Sequence, residues 1–299
     1  MTNESLYRTD DPAAISLSGG RTSAYMLWQV LKAYGGSLPD NIQVVFANTG
    51  KEMGATLDFV RDIGLFWDVP ITWLELGDYE VIGEWKTGAK AGMPRYTATT
   101  KIVTYETASR NGEPFERLCR KRNYLPNLMA RFCTAELKVR RIRDFLNSQK
   151  KDREWTQFIG IRADEPRRAA KIHGVVDSGH ELYCPLFLDG VLKSHIFEFW
   201  KAQSFDLDLY NNNGTTDFGN CDLCFLKGGR KKISLVRERP DLADWWIHME
   251  SLMSETTAGS AARFRNDQPS YAEMKVIATD QPALFDFEDD ETIPCFCGD

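Results

Sequence analysis

The chemistry most directly legible in this chain lies in six consecutive residues, Ser18-Gly19-Gly20-Arg21-Thr22-Ser23. They come after a short apolar run, Ala14-Ile15-Ser16-Leu17, and open a stretch with helical spacing. Adjacent glycines let the backbone turn tightly and aim several amide hydrogens at one anion, and the new helix adds its positive end. The hydroxyls of Ser18, Thr22 and Ser23 supply further donors, and Arg21 a positive charge. The loop has neither the spacing and lysine of the Walker type nor the separated glycines of the dinucleotide fingerprint. A plain strand-to-helix turn is the alternative to a phosphate loop. The strand, loop and helix context favours phosphate.

Cysteines are the second chemical signal. The chain has seven, Cys119, Cys133, Cys184, Cys221, Cys224, Cys295 and Cys297. An odd number cannot pair completely, and a reducing compartment would keep them as thiols. The groupings Cys221-Asp222-Leu223-Cys224 and Cys295-Phe296-Cys297 point to metal or redox work. A lone Cys-x-x-Cys is compatible with a redox pair, half a zinc site, half an iron-sulfur site or an unreactive structural pair. Cys133 is the best candidate for a further ligand, because it opens a basic helix in which Arg131 and Lys138 favour a thiolate. His173, His180, His195 and His248 show no metal-ligand spacing.

The elements that must position these groups alternate between strand and helix. A helix over 21–34 would bury Tyr25, Leu27, Val30 and Leu31, and the run Ile42-Gln43-Val44-Val45-Phe46-Ala47 reads as a strand ending in Asn48-Thr49-Gly50. A helix over about 55–66, a strand at 71–74 and another at 156–161 extend the series. This order predicts an α/β fold, a parallel sheet of five or six strands with helices on both faces. Residues 76–124 read as a long excursion over the ligand site with weak helices. From Phe132, the spacing of Ala135, Val139, Ile142 and Leu146 predicts an amphipathic helix with Lys138 and Arg141 on another face. A helix over 194–202, a loop at Asn211-Asn212-Asn213-Gly214 and a helix around Trp245 and Trp246 come next. A soft boundary near Asp217 divides a nucleotide-binding domain, 1–216, from a cysteine-containing C-terminal region, 217–299, whose acidic end reads as a mobile tail.

Composition narrows the classes. With 299 residues, 42% of them hydrophobic, the chain can bury a full core. No apolar run is long enough for a membrane span and the start lacks a secretory pattern, so a cytoplasmic protein is expected. The formal net charge of -6 argues against a protein that coats nucleic acid. Locally, nine Lys or Arg residues against one acid, Glu136, lie between Arg117 and Arg143.

Taken together, these motifs resemble the PP-loop superfamily, and within it the phosphoadenylylsulfate and adenylylsulfate reductase-like proteins, from about Ile15 to Lys227. The resemblance is carried in order by the Ser18–Ser23 loop, by Asn48-Thr49-Gly50-Lys51-Glu52, by Cys133-Thr134-Ala135-Glu136-Leu137-Lys138, by Gly160-Ile161-Arg162-Ala163-Asp164-Glu165 with Arg167 and Arg168, and by Asn220-Cys221-Asp222-Leu223-Cys224. It implies an adenine nucleotide alpha hydrolase-like fold with the nucleotide across the C-terminal edge of the sheet. Ser18, Gly19, Gly20 and Ser23 would hold phosphate or sulfate, Asn48, Thr49, Gly50 and Glu52 would belong to the nucleotide pocket, and Lys138, Arg162 and Arg168 would meet anionic oxygens. Iron-sulfur members use two cysteines near the third motif. Phe132 stands where one of them would be, so Cys119 becomes the expected fourth ligand beside Cys133, Cys221 and Cys224, with Cys295 and Cys184 as runners-up. A [4Fe-4S] cluster is expected, with zinc as the alternative. Reductases of this family end in a Glu-Cys-Gly-Leu-His segment whose cysteine attacks sulfur. Cys297-Gly298 matches two of those positions.

Three functions are expected. The first is an oxidoreductase that reduces an adenylylsulfate-like compound through Cys297, with a thioredoxin-like partner. The second is ATP-dependent adenylylation and sulfur transfer, with Mg2+ and, where the acceptor is a base, a nucleic-acid substrate bound through Lys227, Arg230, Lys231 and Lys232. Against the second, Thr22 replaces the aspartate of the usual Ser-Gly-Gly-x-Asp-Ser loop. The third is a non-catalytic nucleotide-binding accessory protein. A homodimer fits any of them.

Overall fold

A computed structural model describes residues 3–149, 154–177, 179–210, 216, 218–219, 221–256 and 262–280. The expected loop at 211–214, the boundary at Asp217, and the tail with Cys295 and Cys297 lie outside the described residues.

The first apolar run becomes β1 (Ala13–Leu17), which stops at the glycine pair and gives way to α1 (Arg21–Ala33). Next along the chain are β2 (Ile42–Ala47), α2 (Gly54–Phe66), β3 (Ile71–Glu84), β4 (Pro94–Val103) and α3 (Glu113–Arg122). A short α4 (Phe132–Thr134) passes through a π-helical turn, Ala135–Val139, into α5 (Arg140–Gln149). Then come β5 (Trp155–Ile159), α6 (Pro166–Ile172), β6 (Val176–Asp177), β7 (His180–Tyr183), α7 (Pro185–Leu188) and α8 (Lys193–Lys201). Three further helices close the described chain: α9 (Gly229–Glu238), α10 (Ala243–Thr256) and α11 (Tyr271–Asp280).

The strands form one sheet in the order β4-β3-β2-β1-β5-β7-β6. The inner five, β3 to β7 across the sheet, run parallel, and β4 and β6 close the two edges antiparallel. The expected parallel sheet is present, with two antiparallel edge strands added. Alternation along the inner strands gives each face its own core. Ile15, Leu17, Val44 and Phe46 pack with α1, α2 and α8, while Ala14, Val45 and Ala47 pack with Ile142, Phe145 and Leu146 of α5. Helices therefore cover both faces. A further apolar cluster joins α3, α9, α10 and α11 to Leu76 and Ala98 of the β3–β4 pair, centred on the fully buried Trp246.

Two local expectations are corrected. Residues 76–124 hold a long antiparallel hairpin, because β3 runs past the sheet to Glu84 and returns as β4. Every residue from Glu80 to Tyr96 is exposed, so this stretch has no buried face to print an alternating pattern on the sequence. The stripe expected from Phe132 is also broken. Ala135 and Val139 are exposed, and Leu137 is buried instead, because the π-turn adds a residue and rotates the helix beyond it. Among the described residues no helix is long and apolar enough to cross a membrane.

Candidate functional site

From β1 the chain winds to β2 and β3 on one side, whereas β5 and β7 lie on the other. The strand order thus reverses beside β1, and the crevice at the carboxyl ends of β1 and β5 is where open α/β sheets take ligands. A cleft with about 620 Å³ of empty space opens there, bounded by Ser18 and Ser23, Gln157 and Gly160, Lys138 and Arg168.

Two glycines make this crevice. Gly19 has φ +81°, and a Cβ added to it would overlap the Thr56 methyl. Gly160 ends β5 so close to α1 that an added Cβ would stand 2.9 Å from Ser23 Cα and 3.2 Å from its nitrogen. Within the loop, Ser18 N–H donates to Ser23 Oγ (3.0 Å), the two hydroxyls are 2.9 Å apart, and Ser23 Oγ donates to the Gly20 carbonyl (3.0 Å). The first bond of the helix runs from Ala24 N–H to the Gly20 carbonyl (3.2 Å). The amides of Arg21, Thr22 and Ser23 precede that bond and have no acceptor among the described residues. They are the donors a helix start offers to an anion.

The cations divide between the cleft and its scaffold. Lys138 projects from the π-turn, lines the cleft, and has Nζ 3.3 Å from Glu52 Oε1. Arg168 also lines the cleft. It pairs with Glu165, while its buried Nε has no hydrogen-bond partner among the described residues. Arg162 sits at the loop's rim, donating to Thr22 Oγ1 (3.0 Å) and Asp164 (2.9 Å). Arg21 turns away from the loop into a bidentate pair with Asp206 (2.6 and 2.9 Å) and a bond to the Leu207 carbonyl, while Trp200 Nε1 donates to the Arg21 carbonyl. It fastens α1 to the segment after α8.

The second motif forms a wall. Asn48 is fully buried, and its amide donates to Glu75 (2.7 Å) and the Ser109 carbonyl (2.8 Å) while its oxygen receives Gly50 N–H (3.0 Å). Burial pushes the Glu75 carboxyl above the usual range, opposed by the bonds from Ser109 N–H and Asn48. Thr49 donates to Glu52 through both its amide and its hydroxyl. Glu52 bridges backbone to backbone with Cys221. Lys51 pairs with Asp222 (2.7 Å) in the interior, Trp246 Nε1 donates to the same carboxylate (2.8 Å), and Lys227 Nζ donates to the carbonyls of Cys221 and Asp222. Asn48 and Gly50 therefore tie the end of β2 to Glu75 and to the segment from Ser109 to Gly112, whereas Thr49, Lys51 and Glu52 tie it to Cys221 and Asp222. The interior pair Lys51–Asp222 could not be foreseen, because nothing local connects two residues so far apart. Lys227 and Lys232 are buried, which removes them from any surface that could grip a phosphate backbone.

The cysteine expectation is overturned. Cys133, Cys221 and Cys224 line one small pocket with Thr49, Lys138 and Trp246. Yet among the described residues no group of three or more His, Cys, Asp or Glu is arranged to hold a metal ion. Cys119, expected as the fourth ligand, is fully buried in the apolar cluster, and burial pushes its thiol far above the ordinary range, against the thiolate that a metal requires. Cys184 is buried elsewhere, between Ile161 and Ala169. The residues present do not fit the expected [4Fe-4S] cluster or its zinc alternative.

The chain is 31% identical over 218 residues to the uncharacterized nin region protein ORF290 of Escherichia phage lambda, a match covering 73% of this chain and 67% of that protein. It is 31% identical over 169 residues to an uncharacterized 37.8 kDa protein in the gpa 5′ region of Escherichia phage 186, covering 52% of this chain and 49% of that protein. This chain thus spans about half the length of the second relative. No family model matches the chain.

Proposed function

This chain belongs to the family of the nin region protein ORF290 of Escherichia phage lambda, and we propose that it binds an adenine nucleotide across the β1–β5 crevice and performs thiol chemistry on a sulfonucleotide of the adenylylsulfate type. The observation that carries the reading is the start of α1. Three helix-end amides have no acceptor among the described residues, and the last of them belongs to Ser23, which lines a cleft together with Ser18, Lys138 and Arg168. Such a set suits a group with several anionic oxygens. The adenine base and the sulfur rest on the resemblance of the loop and the later motifs to sulfonucleotide reductases. Thr22 supports a sulfonucleotide over ATP, because its hydroxyl receives Arg162 and the loop offers no carboxylate for a triphosphate's counter-ion.

In this reading a cysteine thiolate, that of Cys297, attacks the sulfur of the bound sulfonucleotide. The new S–S bond forms as the bond from sulfur to the bridging phosphate oxygen breaks. The nucleotide leaves with the added negative charge, which the α1 amides and Lys138 hold. A second thiol, from a thioredoxin-like protein, then attacks the cysteine sulfur, releases sulfite and leaves a mixed disulfide. Chemistry that consumes thiols suits the reducing cytoplasm.

Calorimetry against adenylylsulfate, its phosphorylated form and ATP tests the reading, together with sulfite release in the presence of a dithiol. Binding of a sulfonucleotide that Lys138→Ala weakens, with sulfite release lost in Cys297→Ser, supports it. Tight ATP binding with pyrophosphate release, or no affinity for any of the three, refutes it.

A further inference from the structure

The β3–β4 ribbon carries side chains that neither the sheet nor the cleft uses. From Glu80 to Tyr96 both of its faces are exposed, and a bare two-stranded hairpin is marginal in water. It nevertheless displays Val81, Ile82, Met93, Trp85 (44% exposed) and Tyr96 (45% exposed). Exposed apolar strand residues of this kind are a hazard unless something covers them.

Cations accompany the rings. Lys121, from the last turn of α3, places Nζ 3.2 Å from the centre of the Tyr96 ring and 5.2 Å from that of Tyr79. The Arg95 guanidinium lies 5.8 Å from the Trp85 ring centre. Lys86 and Lys90 occupy the exposed tip. Neighbouring charges are neutralised, Arg117 by Asp78, Arg120 by Glu116 and Arg122 by Glu136. By contrast, Lys86, Lys90, Arg95, Lys101 and Lys121 have no carboxylate at ion-pair distance among the described residues. The ribbon's unpaired acids are Glu80 and Glu84, and strand alternation turns Glu80 to the face opposite Tyr96. A chain of net charge -6 thus concentrates unneutralised cations around exposed rings on one projecting arm.

We propose that this ribbon is a docking arm for single-stranded nucleic acid, separate from the nucleotide cleft and independent of what that cleft binds. Cations track a phosphate backbone, and exposed Trp and Tyr rings stack on unpaired bases. An acidic peptide would be met by the cations alone and would leave the rings unexplained. A duplex keeps its bases stacked inside, out of reach of those rings.

Fluorescence anisotropy with labelled oligo(dT) and oligo(U) of about 20 nucleotides, longer than an ordinary single-strand footprint, tests this. One or both bind, Trp85 fluorescence falls on binding, and affinity drops as salt is raised. Trp85→Ala and the double variant Lys86→Glu/Lys90→Glu each weaken binding about tenfold. Lys201→Glu, on α8, leaves it unchanged. The difference between the two oligomers identifies the preferred sugar. Each variant is checked for an unaltered melting temperature and unaltered nucleotide affinity, which separates loss of the arm from loss of the fold. The proposal is overturned if duplex or polyglutamate competes as well as single strands, if Trp85→Ala binds as tightly as the parent, or if nothing binds at about 100 μM protein in low salt.

Discussion

Substituting Gly160 by alanine perturbs the crevice without touching any charged group. The added Cβ would stand 2.9 Å from Ser23 Cα and 3.3 Å from Ser23 Cβ. Ordinary carbon–carbon contact begins near 3.5 Å, so the end of β5 and the start of α1 must part by about 0.6 Å. The neighbouring atoms are backbone, and no rotamer change can relieve the clash. Overpacking of this kind costs about 2 kcal/mol, which corresponds to roughly 3 °C in melting temperature for a chain of this size. The Ser23 amide moves with its Cα, so the affinity for an anionic nucleotide falls about tenfold. Calorimetry of unfolding and of nucleotide binding measures both effects. Gly54→Ala is the control, since an added Cβ there meets nothing within 4 Å. A Gly160→Ala protein that melts and binds like the parent would refute the close approach of β5 to the loop.

Other consequences arise from the wall and the core. Glu75→Gln keeps the oxygen that accepts Asn48 and Ser109 but removes a carboxylate whose affinity for protons burial raises in the folded state. The folded protein therefore carries a penalty that grows as pH rises through the carboxylate range, and thermal melts should show the variant more stable near pH 8 with the advantage gone below about pH 4. Lys51→Met leaves the buried Asp222 carboxylate with hydrogen bonds from Trp246 and the Leu223 amide but without its lysine, and urea unfolding should show a loss of about 3–5 kcal/mol, part of which Lys51→Met/Asp222→Leu restores. Burial pushes the Cys184 thiol up to about 11 and the Cys119 thiol higher still, so peptide mapping after iodoacetamide treatment near pH 8 should find both unmodified until the protein unfolds.

The sheet is legible because Ala14–Leu17 and Ile42–Ala47 are apolar runs punctuated by turn residues, and strands buried on both faces leave that mark. The loop is legible for a related reason: its glycines answer a backbone demand that sits where strand meets helix. The ribbon beyond Leu76 escapes notice since a strand exposed on both sides imposes no period. Arg21 reads as a phosphate partner until the fold supplies Asp206, and Asp206 reaches it only through the packing of α8. The cysteine expectation fails at the same level. Cys-x-x-Cys spacing speaks for two thiols, whereas a metal site depends on further ligands converging in three dimensions, and Cys119 is committed to an apolar helix face instead. Lys138 is found by its motif, but the π-turn that delivers it between Glu52 and the cleft is not written in any spacing.

Crystals soaked with adenylylsulfate decide whether the start of α1 holds a nucleotide's anionic group. Density for that group is expected within hydrogen-bonding distance of the Thr22 and Ser23 amides, with Lys138 and Arg168 turned toward its oxygens. Density that places the group away from the start of α1, or a crevice left without ligand at saturating concentration, would contradict the proposed binding mode.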